Sequence, residues 1–159
     1  MKLAVVAVGS LKERYFREAC AEYSKRMSSM RPVEILEVPE EPVLDESMPA
    51  AVERSLEKEG LRILRCLKPD DFPVALAPEG RPLDSPGFAA LIDPMANPDA
   101  KRMVFVVGSS HGLAPAVHGK CKLTLSFGPM TFPHQLARVM LLEQIYRGQM
   151  ILQGRAYHK

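Results

Sequence analysis

Three short segments of the sequence place glycine and proline directly after apolar runs. They are Leu76–Gly80, Val107–Gly112 and Ser126–Phe132. Glycine lets a backbone approach a ligand and adopts positive φ angles, while proline fixes the path of a loop. If the three segments lie together, their backbone N–H and C=O groups would line a pocket suited to a nucleoside. Strand ends also need turn residues for purely structural reasons, so the pattern by itself leaves both explanations open.

The usual phosphate-binding fingerprints are missing from the sequence. The first apolar run ends in Val8-Gly9-Ser10 without a G-x-G-x-x-G pattern, and no G-x-x-x-x-G-K-[ST] segment occurs. The ends of the predicted strands also lack paired carboxylates, which disfavours a magnesium site and phosphoryl transfer. A flavodoxin-like nucleotide or flavin binder is therefore only a weak alternative.

Four histidines are candidates for proton transfer or ligand binding: His111, His118, His134 and His158. None of their spacings matches a zinc motif, so we expect no metal site. His134 either lies exposed in the first turn of the last helix or points into the predicted pocket. His158 belongs to a charged C-terminal tail, and such tails are usually disordered.

Arg138 stands inside an apolar helix. A buried arginine needs a carboxylate, phosphate or carbonyl partner, so we expect Arg138 to have a functional or interface role. Glu143 and Arg147 follow at i, i+4 spacing on the same helix and should pair with each other.

The composition predicts one domain covering residues 1–159, with 47% hydrophobic and 25% charged residues. Three widely separated cysteines fit a reducing cytosol better than a disulfide framework. The apolar start, Met1–Gly9, is too short to span a membrane and has no signal-cleavage site, so we expect a soluble cytoplasmic protein. The net charge is +2, with an acidic stretch at 34–46. If nucleic acid is the partner, few phosphates are neutralised, and affinity for naked RNA should be modest and salt-sensitive.

Strand-like and helix-like patterns alternate along the chain. The first predicted helix, for example, places Tyr15, Ala19, Tyr23 and Met27 at i, i+4 spacing on one face. This alternation predicts an α/β fold, with a mostly parallel sheet covered by helices on both faces. The predicted strands are Leu3–Val8, Val33–Val38, Phe72–Leu76, Met103–Val107 and Leu123–Ser126. The predicted helices are Glu13–Met30, Ala50–Leu67, Pro86–Met95 and one that begins at Pro133.

The last predicted helix is apolar on all sides. Eight of the eleven residues Leu136–Tyr146 are apolar, and the polar exceptions Arg138, Glu143 and Gln144 fall on three different sides. A surface helix normally shows one apolar stripe and one polar face. We therefore expect this helix to be covered on more than its sheet side, most simply by a second copy of the chain.

These C-terminal residues also carry a family resemblance. The residues that carry the resemblance are Gly108 after an apolar strand, the segment MTFPHQLARVMLLEQIYR and the terminal AYHK. In these residues the chain closely resembles the ribosomal RNA large subunit methyltransferase H family of the SPOUT superfamily. The resemblance covers the whole chain, including the MKLAVVAVG start. It implies a single SPOUT methyltransferase domain whose C-terminal part forms a deep trefoil knot, a rare exception to general connection rules.

The resemblance further implies an S-adenosylmethionine-dependent methyltransferase. Its target would be N3 of a pseudouridine in 23S rRNA of the assembled ribosome, and the cofactor would bind in the knot at a homodimer interface. Carried over by position, the cofactor contacts are Leu76, Gly108, Phe127, Gly128, Pro129, Met130, Thr131 and Phe132. The residues expected to face RNA are Tyr157, His158, Lys159 and Arg138, with His134 as a further candidate.

The residue types leave several catalytic assignments open. His158 or His134 can accept the imide proton of the target base, and Arg138 or Lys159 can stabilise the charge that develops on its oxygen. Loss of the proton to solvent, with positioning alone, is a third possibility. The catalytic candidates are therefore His158, Arg138 and His134.

The sequence departs from the family pattern in its loops. Ser109 stands where the family usually has a second glycine, Ala77 stands where an acidic residue is more usual, and Gly128-Pro129 lies where a Ser-Lys or similar pair is common. These departures are the support for an alternative function, a non-catalytic ribosome- or RNA-binding module that retains the SPOUT fold.

Overall fold

The computed structural model describes residues 1–157 as five strands that form one parallel sheet, flanked by helices. The strand order is β2-β1-β4-β3-β5. The strands are β1 (Lys2–Val8), β2 (Val33–Val38), β3 (Asp71–Pro82), β4 (Arg102–Val107) and β5 (Leu123–Ser126). The helices are α1 (Arg14–Met27), α2 (Pro49–Cys66), α3 (Ser85–Ile92), α4 (Pro115–Lys120) and α5 (His134–Leu152). The predicted α/β fold with helices on both faces of the sheet is confirmed, and the trefoil knot stays a prediction.

The two faces of the sheet bury separate apolar clusters. Leu3, Val5 and Ala7 of β1 join the cluster that α1, α3 and α5 cover. The residues between them along β1 point the other way, into the cluster that α2 and α4 cover. Because both faces are covered, the central strands β1 and β4 are apolar along almost their whole length. All five strands are parallel, so their carboxyl ends lie at one edge of the sheet, where α/β proteins place ligands.

Helices α1 and α3 each end three residues before their predicted ends, at Met27 and Ile92.

The structure also differs from the predicted elements in three further places. Helix α4 was not predicted, because six residues that start with a proline are too short to show helical periodicity. Strand β3 continues beyond Leu76 to Pro82, with a shift in its register against β5 between Leu76 and Arg81. The predicted stripe on α1 is wrong at Tyr15, which is 62% exposed; the fully buried side chains of that helix are Cys20 and Met27.

Helix α5 is covered in part by the same chain. It packs against α3 and α1, and the contact with α3 is so close that a Cβ on Gly148 would lie 2.9 Å from Ile92 Cδ1. Its central apolar side chains are inaccessible to solvent, whereas Val139 and Met140 remain half-buried along an open groove. Part of the cover that the sequence assigned to a second copy therefore comes from α1 and α3.

Candidate functional site

The three glycine- and proline-containing strand ends meet in one cleft at the carboxyl edge of the sheet. The cleft has a volume of about 400 Å³ and also receives side chains from the start of α5. The predicted cofactor contacts that line it are Leu76, Gly108, Phe127, Gly128, Met130, Thr131 and Phe132. Pro129 is exposed and is not part of the lining. The cleft combines apolar side chains with loop backbone, which is the surface expected of a small-molecule site.

After β4 the wall of the cleft is formed by a tight turn, and the residue just before this turn, Gly108, must be glycine. A Cβ on Gly108 would lie 2.2 Å from the carbonyl oxygen of Gly112, so no side chain fits there. The N–H of Gly112 donates to the carbonyl oxygen of Ser109 at 3.0 Å and closes the turn. Gly112 itself has a φ of 90°, a conformation that L side chains rarely adopt. The glycines predicted from sequence thus have a geometric reason.

The wall formed by β3 and β5 is held together by Ser126. The Ser126 hydroxyl lies 2.9 Å from the carbonyl oxygen of Pro78, to which it can donate, and it accepts a hydrogen bond from the Gly128 N–H at 3.0 Å. Gly80 packs directly on β5, since a Cβ there would lie 2.6 Å from the carbonyl carbon of Leu125. One buried hydroxyl therefore connects two of the three strand ends that form the cleft.

Two histidines on the rim of the cleft lie near carboxylates. His118 Nε2 lies 3.8 Å from Glu79 Oε1, and both side chains line the cleft. His111 Nε2 lies 3.7 Å from Glu46 Oε1 of the acidic segment that follows β2. These distances exceed hydrogen-bond length, so the carboxylates stay free to meet a ligand or solvent.

His134 points into the cleft rather than lying exposed in the first turn of α5. Its side chain is half-buried and belongs to the lining. Burial lowers the pKa of the His134 imidazole below its ordinary value; Arg138 and Lys12 lower it further, whereas the Glu40 carboxylate opposes the shift. The imidazole is therefore neutral at pH 7 and able to accept a proton.

Arg138 is buried, and two of its three guanidinium nitrogens have hydrogen-bond partners. Nη1 pairs with the Glu37 carboxylate, Nη2 donates to the Gly9 carbonyl oxygen at 2.8 Å, and Nε has no partner. The predicted need for a carboxylate or carbonyl partner is confirmed, and both kinds are present. Arg138 does not line the cleft, so direct contact with RNA would require the side chain to leave Glu37.

A buried carboxylate that the sequence reasoning missed lies behind the cleft. Glu59 of α2 is 3% exposed, and its Oε2 accepts a hydrogen bond from the Ser109 hydroxyl at 2.8 Å. A signal was present in the sequence, because Glu59 occupies the same helical stripe as Val52, Leu56 and Ile63. A carboxylate on an apolar stripe must find hydrogen-bond donors when the helix packs.

The described part of the C-terminal tail packs on its own helix. The Arg147 guanidinium lies over the Tyr157 ring at 4.6 Å from the centroid, and the same ring meets Tyr146 edge-on. Arg147 also pairs with Glu143, as predicted from their spacing. Tyr157 does not line the cleft. The predicted RNA-facing residues His158 and Lys159 lie outside the described residues.

Residues 1–157 contain neither a metal-binding cluster nor a membrane-spanning helix. No group of three or more His, Cys, Asp or Glu side chains within this range is arranged to hold a metal ion. In the same range, no helix is both long enough and apolar enough to cross a membrane.

A family model described as "Predicted SPOUT methyltransferase" matches residues 1–158. The chain therefore belongs to the SPOUT methyltransferase family.

Two solved structures are similar to the chain. One is a probable methyltransferase from Bordetella pertussis Tohama I, 16% identical with a TM-score of 0.56, which covers 93% of this chain and 94% of that chain. At this identity the likeness establishes a shared fold. The other is the SpoU methyltransferase AviRb from Streptomyces viridochromogenes in complex with the cofactor AdoMet, 12% identical with a TM-score of 0.48. The match to AviRb covers 94% of this chain and 58% of that chain.

Proposed function

We propose that this protein is an S-adenosylmethionine-dependent methyltransferase that acts on N3 of a pseudouridine in 23S rRNA of the assembled ribosome. Membership of the SPOUT methyltransferase family supports the reaction class. The observation that carries the proposal is the convergence of three glycine-containing strand ends in one cleft. The finer assignment, to the ribosomal RNA large subunit methyltransferase H family, is supported by the resemblance of the C-terminal helix and of the AYHK tail.

The cleft fits the proposed cofactor in size and chemistry. Its volume of about 400 Å³ falls within the range of about 300–1,000 Å³ that is usual for small-molecule sites. Leu76, Val107 and Phe127 offer apolar surface for an adenine ring, while the backbone near Gly108 and Gly128 offers hydrogen-bonding groups for its edge. When bound, S-adenosylmethionine supplies the methyl group as part of a reactive sulfonium.

We propose His134 as the general base among the described residues that line the cleft. A neutral imidazole in the cleft can accept the N3 proton of a pseudouridine, and burial keeps His134 neutral at pH 7. Arg138 acts by holding the start of α5, and hence His134, against the ends of β1 and β2. This gives Arg138 a positioning role in the proposal in place of a direct contact with the substrate.

The tail residues His158 and Lys159 are proposed to approach RNA and the cofactor site of the partner protomer. The proposal rests on the family resemblance and on the aromatic and basic residues at the C-terminus. Replacing His158 with Ala tests it: a large loss of turnover on ribosomes is expected, and unchanged turnover would remove His158 from the mechanism.

A homodimer on 23S rRNA is the proposed assembly. The open groove beside Val139 and Met140, next to the Phe127–Gly128 loop, is the surface that we propose a second copy covers. The small net charge of +2 favours recognition of a shaped ribosomal surface over binding of free RNA by charge alone.

The first test is calorimetric titration of the purified protein with S-adenosylmethionine, with the oligomeric state measured on the same sample. We expect saturable binding to a dimer. Methyl-labelled cofactor should then label 23S rRNA in intact ribosomes, and label the same RNA much less once it is stripped of protein. A well-folded dimer that binds no cofactor would favour the alternative, a non-catalytic ribosome-binding module.

A further inference from the structure

The carboxylate of Glu59 is buried between two segments that are distant in sequence. Its Oε2 accepts the Ser109 hydroxyl at 2.8 Å, and its Oε1 accepts the backbone N–H of Glu41 at 2.9 Å. Only 3% of the residue is exposed, so Glu59 has little access to solvent. Both hydrogen bonds therefore lie in a poorly solvated place, where hydrogen bonds are stronger than in water.

The first of these bonds fixes the wall of the cleft that follows β4. Ser109 directly follows Gly108 and is the first residue of the turn that Gly112 closes, and its side chain is itself buried. The next residue of α2 supports the same wall, since a Cβ on Gly60 would lie 2.9 Å from Ala114 Cβ. Helix α2 thus holds this loop at its beginning and near its end.

The second bond fixes the acidic segment after β2. Its neighbours strengthen the attachment: Arg62 donates to the Pro39 carbonyl oxygen at 2.9 Å, and Lys58 pairs with the Glu41 carboxylate at 2.8 Å. This segment faces the loop after β4 across a groove of about 190 Å³ lined by both. Glu59 is the one described residue whose side chain bonds to both segments.

We infer that Glu59 is a positioning residue for the cofactor cleft. By accepting hydrogen bonds from both the Ser109 hydroxyl and the Glu41 N–H, it holds the loop Gly108–Gly112 in the conformation that binds the ligand and fixes the position of this loop relative to the acidic segment. The inference rests on the proposed function, because the ligand of the cleft is taken to be S-adenosylmethionine. Glu59 itself does not line the cleft, so it acts through Ser109.

The test compares two replacements of similar size. Glu59→Gln keeps both contacts, since its carbonyl oxygen can accept from Glu41 and its amide can donate to the Ser109 hydroxyl. Glu59→Met fills the space but leaves both donors unpaired. Glu57→Met, on the exposed side of the same helix, is the matched control. The measurement is the Kd for S-adenosylmethionine by calorimetry, with the thermal midpoint recorded for each variant.

We expect Glu59→Met to weaken cofactor binding about tenfold, because it leaves a buried hydrogen-bond donor of the cleft wall without its acceptor. Glu59→Gln should restore most of the affinity, and Glu57→Met should match wild type. Ser109→Ala should also weaken binding, and the double variant Glu59→Met with Ser109→Ala should bind no worse than Glu59→Met alone. This non-additivity separates a role through Ser109 from a general loss of stability.

The two proposals fail in different ways. If wild type binds and folded Glu59→Met binds equally well, the positioning role is overturned while the proposed function stands. If folded wild type does not bind, both are overturned. Should Glu59→Met fail to fold, hydrogen exchange of the 108–112 amides in cofactor-free Ser109→Ala decides: faster exchange than in wild type supports the positioning role, and unchanged exchange overturns it.

Discussion

Arg138 and Glu37 form an ion pair although 101 residues separate them in the chain. The guanidinium is almost completely buried, whereas the Glu37 side chain is 43% exposed. The same guanidinium donates to the Gly9 carbonyl oxygen. Through these contacts Arg138 joins the N-terminal half of α5 to the ends of β1 and β2, and so sets the position of His134 beside the cleft.

Replacing Glu37 with Ala should destabilise the protein measurably. The change leaves a buried guanidinium without its carboxylate, and because water reaches Glu37 in part, we expect a loss of about 2 kcal/mol in the free energy of unfolding. Urea denaturation followed by circular dichroism measures it. Glu18→Ala, which breaks the exposed pair with Arg14, is the control and should cost at most about 0.5 kcal/mol. Equal losses in the two variants would contradict the structural role assigned to Arg138.

Replacing Gly108 with Ala should abolish cofactor binding. The new Cβ would lie 2.2 Å from a backbone oxygen of the closing turn, so the loop must move by an amount that the cleft wall cannot absorb. Calorimetry with S-adenosylmethionine provides the measurement. Gly119→Ala, at a helical site with open space around it, is the control and should leave binding unchanged. A Gly108→Ala variant with wild-type affinity would show that the turn is not part of the site.

The stability of the protein should rise with pH through the range in which His134 titrates. Burial holds the pKa of His134 in the folded protein below its ordinary value of 6.5. Between the two pKa values, the unfolded chain therefore binds more protons than the folded protein. The stability contributed by neutral His134 is therefore complete above pH 6.5 and is lost as the pH falls towards the folded-state pKa. Urea denaturation at a series of pH values across this range measures the free energy of unfolding. That free energy should rise less steeply with pH in His134→Asn than in wild type.

Glu40 provides a check on the cause of this shift. Its carboxylate raises the pKa of His134 against the effect of burial, so Glu40→Gln should lower that pKa further. Proton NMR titration of the imidazole measures the change, with His134→Asn used to assign the signal. A His134 that titrates at or above 6.5 in wild type would contradict the argument that burial lowers its pKa.

The open side of α5 should carry the contact between two copies of the chain. Met140 is half-buried in the groove between this helix and the loop after β5, and Met140→Lys would place a charge in any apolar interface there. Analytical ultracentrifugation should show wild-type dimers and Met140→Lys monomers. Leu61→Lys, which changes an exposed apolar side chain on α2, should remain dimeric. If Met140→Lys and Leu61→Lys sediment identically, the contact between two copies does not involve this side of α5.

Short-range patterns were sufficient to predict the strands and the glycine-containing loops. Continuous apolar runs such as Met103–Val107 indicated buried strands, and the glycines that follow them marked the turns that now line the cleft. Helix α4 was missed because it is too short for periodicity to appear. The exposure of Tyr15 was missed because its i, i+4 spacing fits a buried stripe that in fact begins one residue later, at Phe16.

The sequence by itself determined the fold class, the parallel pairing of the strands that alternation with helices implies, and the three segments that could form a binding cleft. Each of these depends on neighbouring residues, through periodicity, backbone freedom and burial. Only the tertiary structure decided that Arg138 pairs with Glu37, that His134 turns into the cleft, and that Glu59 binds Ser109 and Glu41. Those contacts join residues up to 101 positions apart, and their partners are chosen by how helices pack on the sheet, which local spacing does not encode.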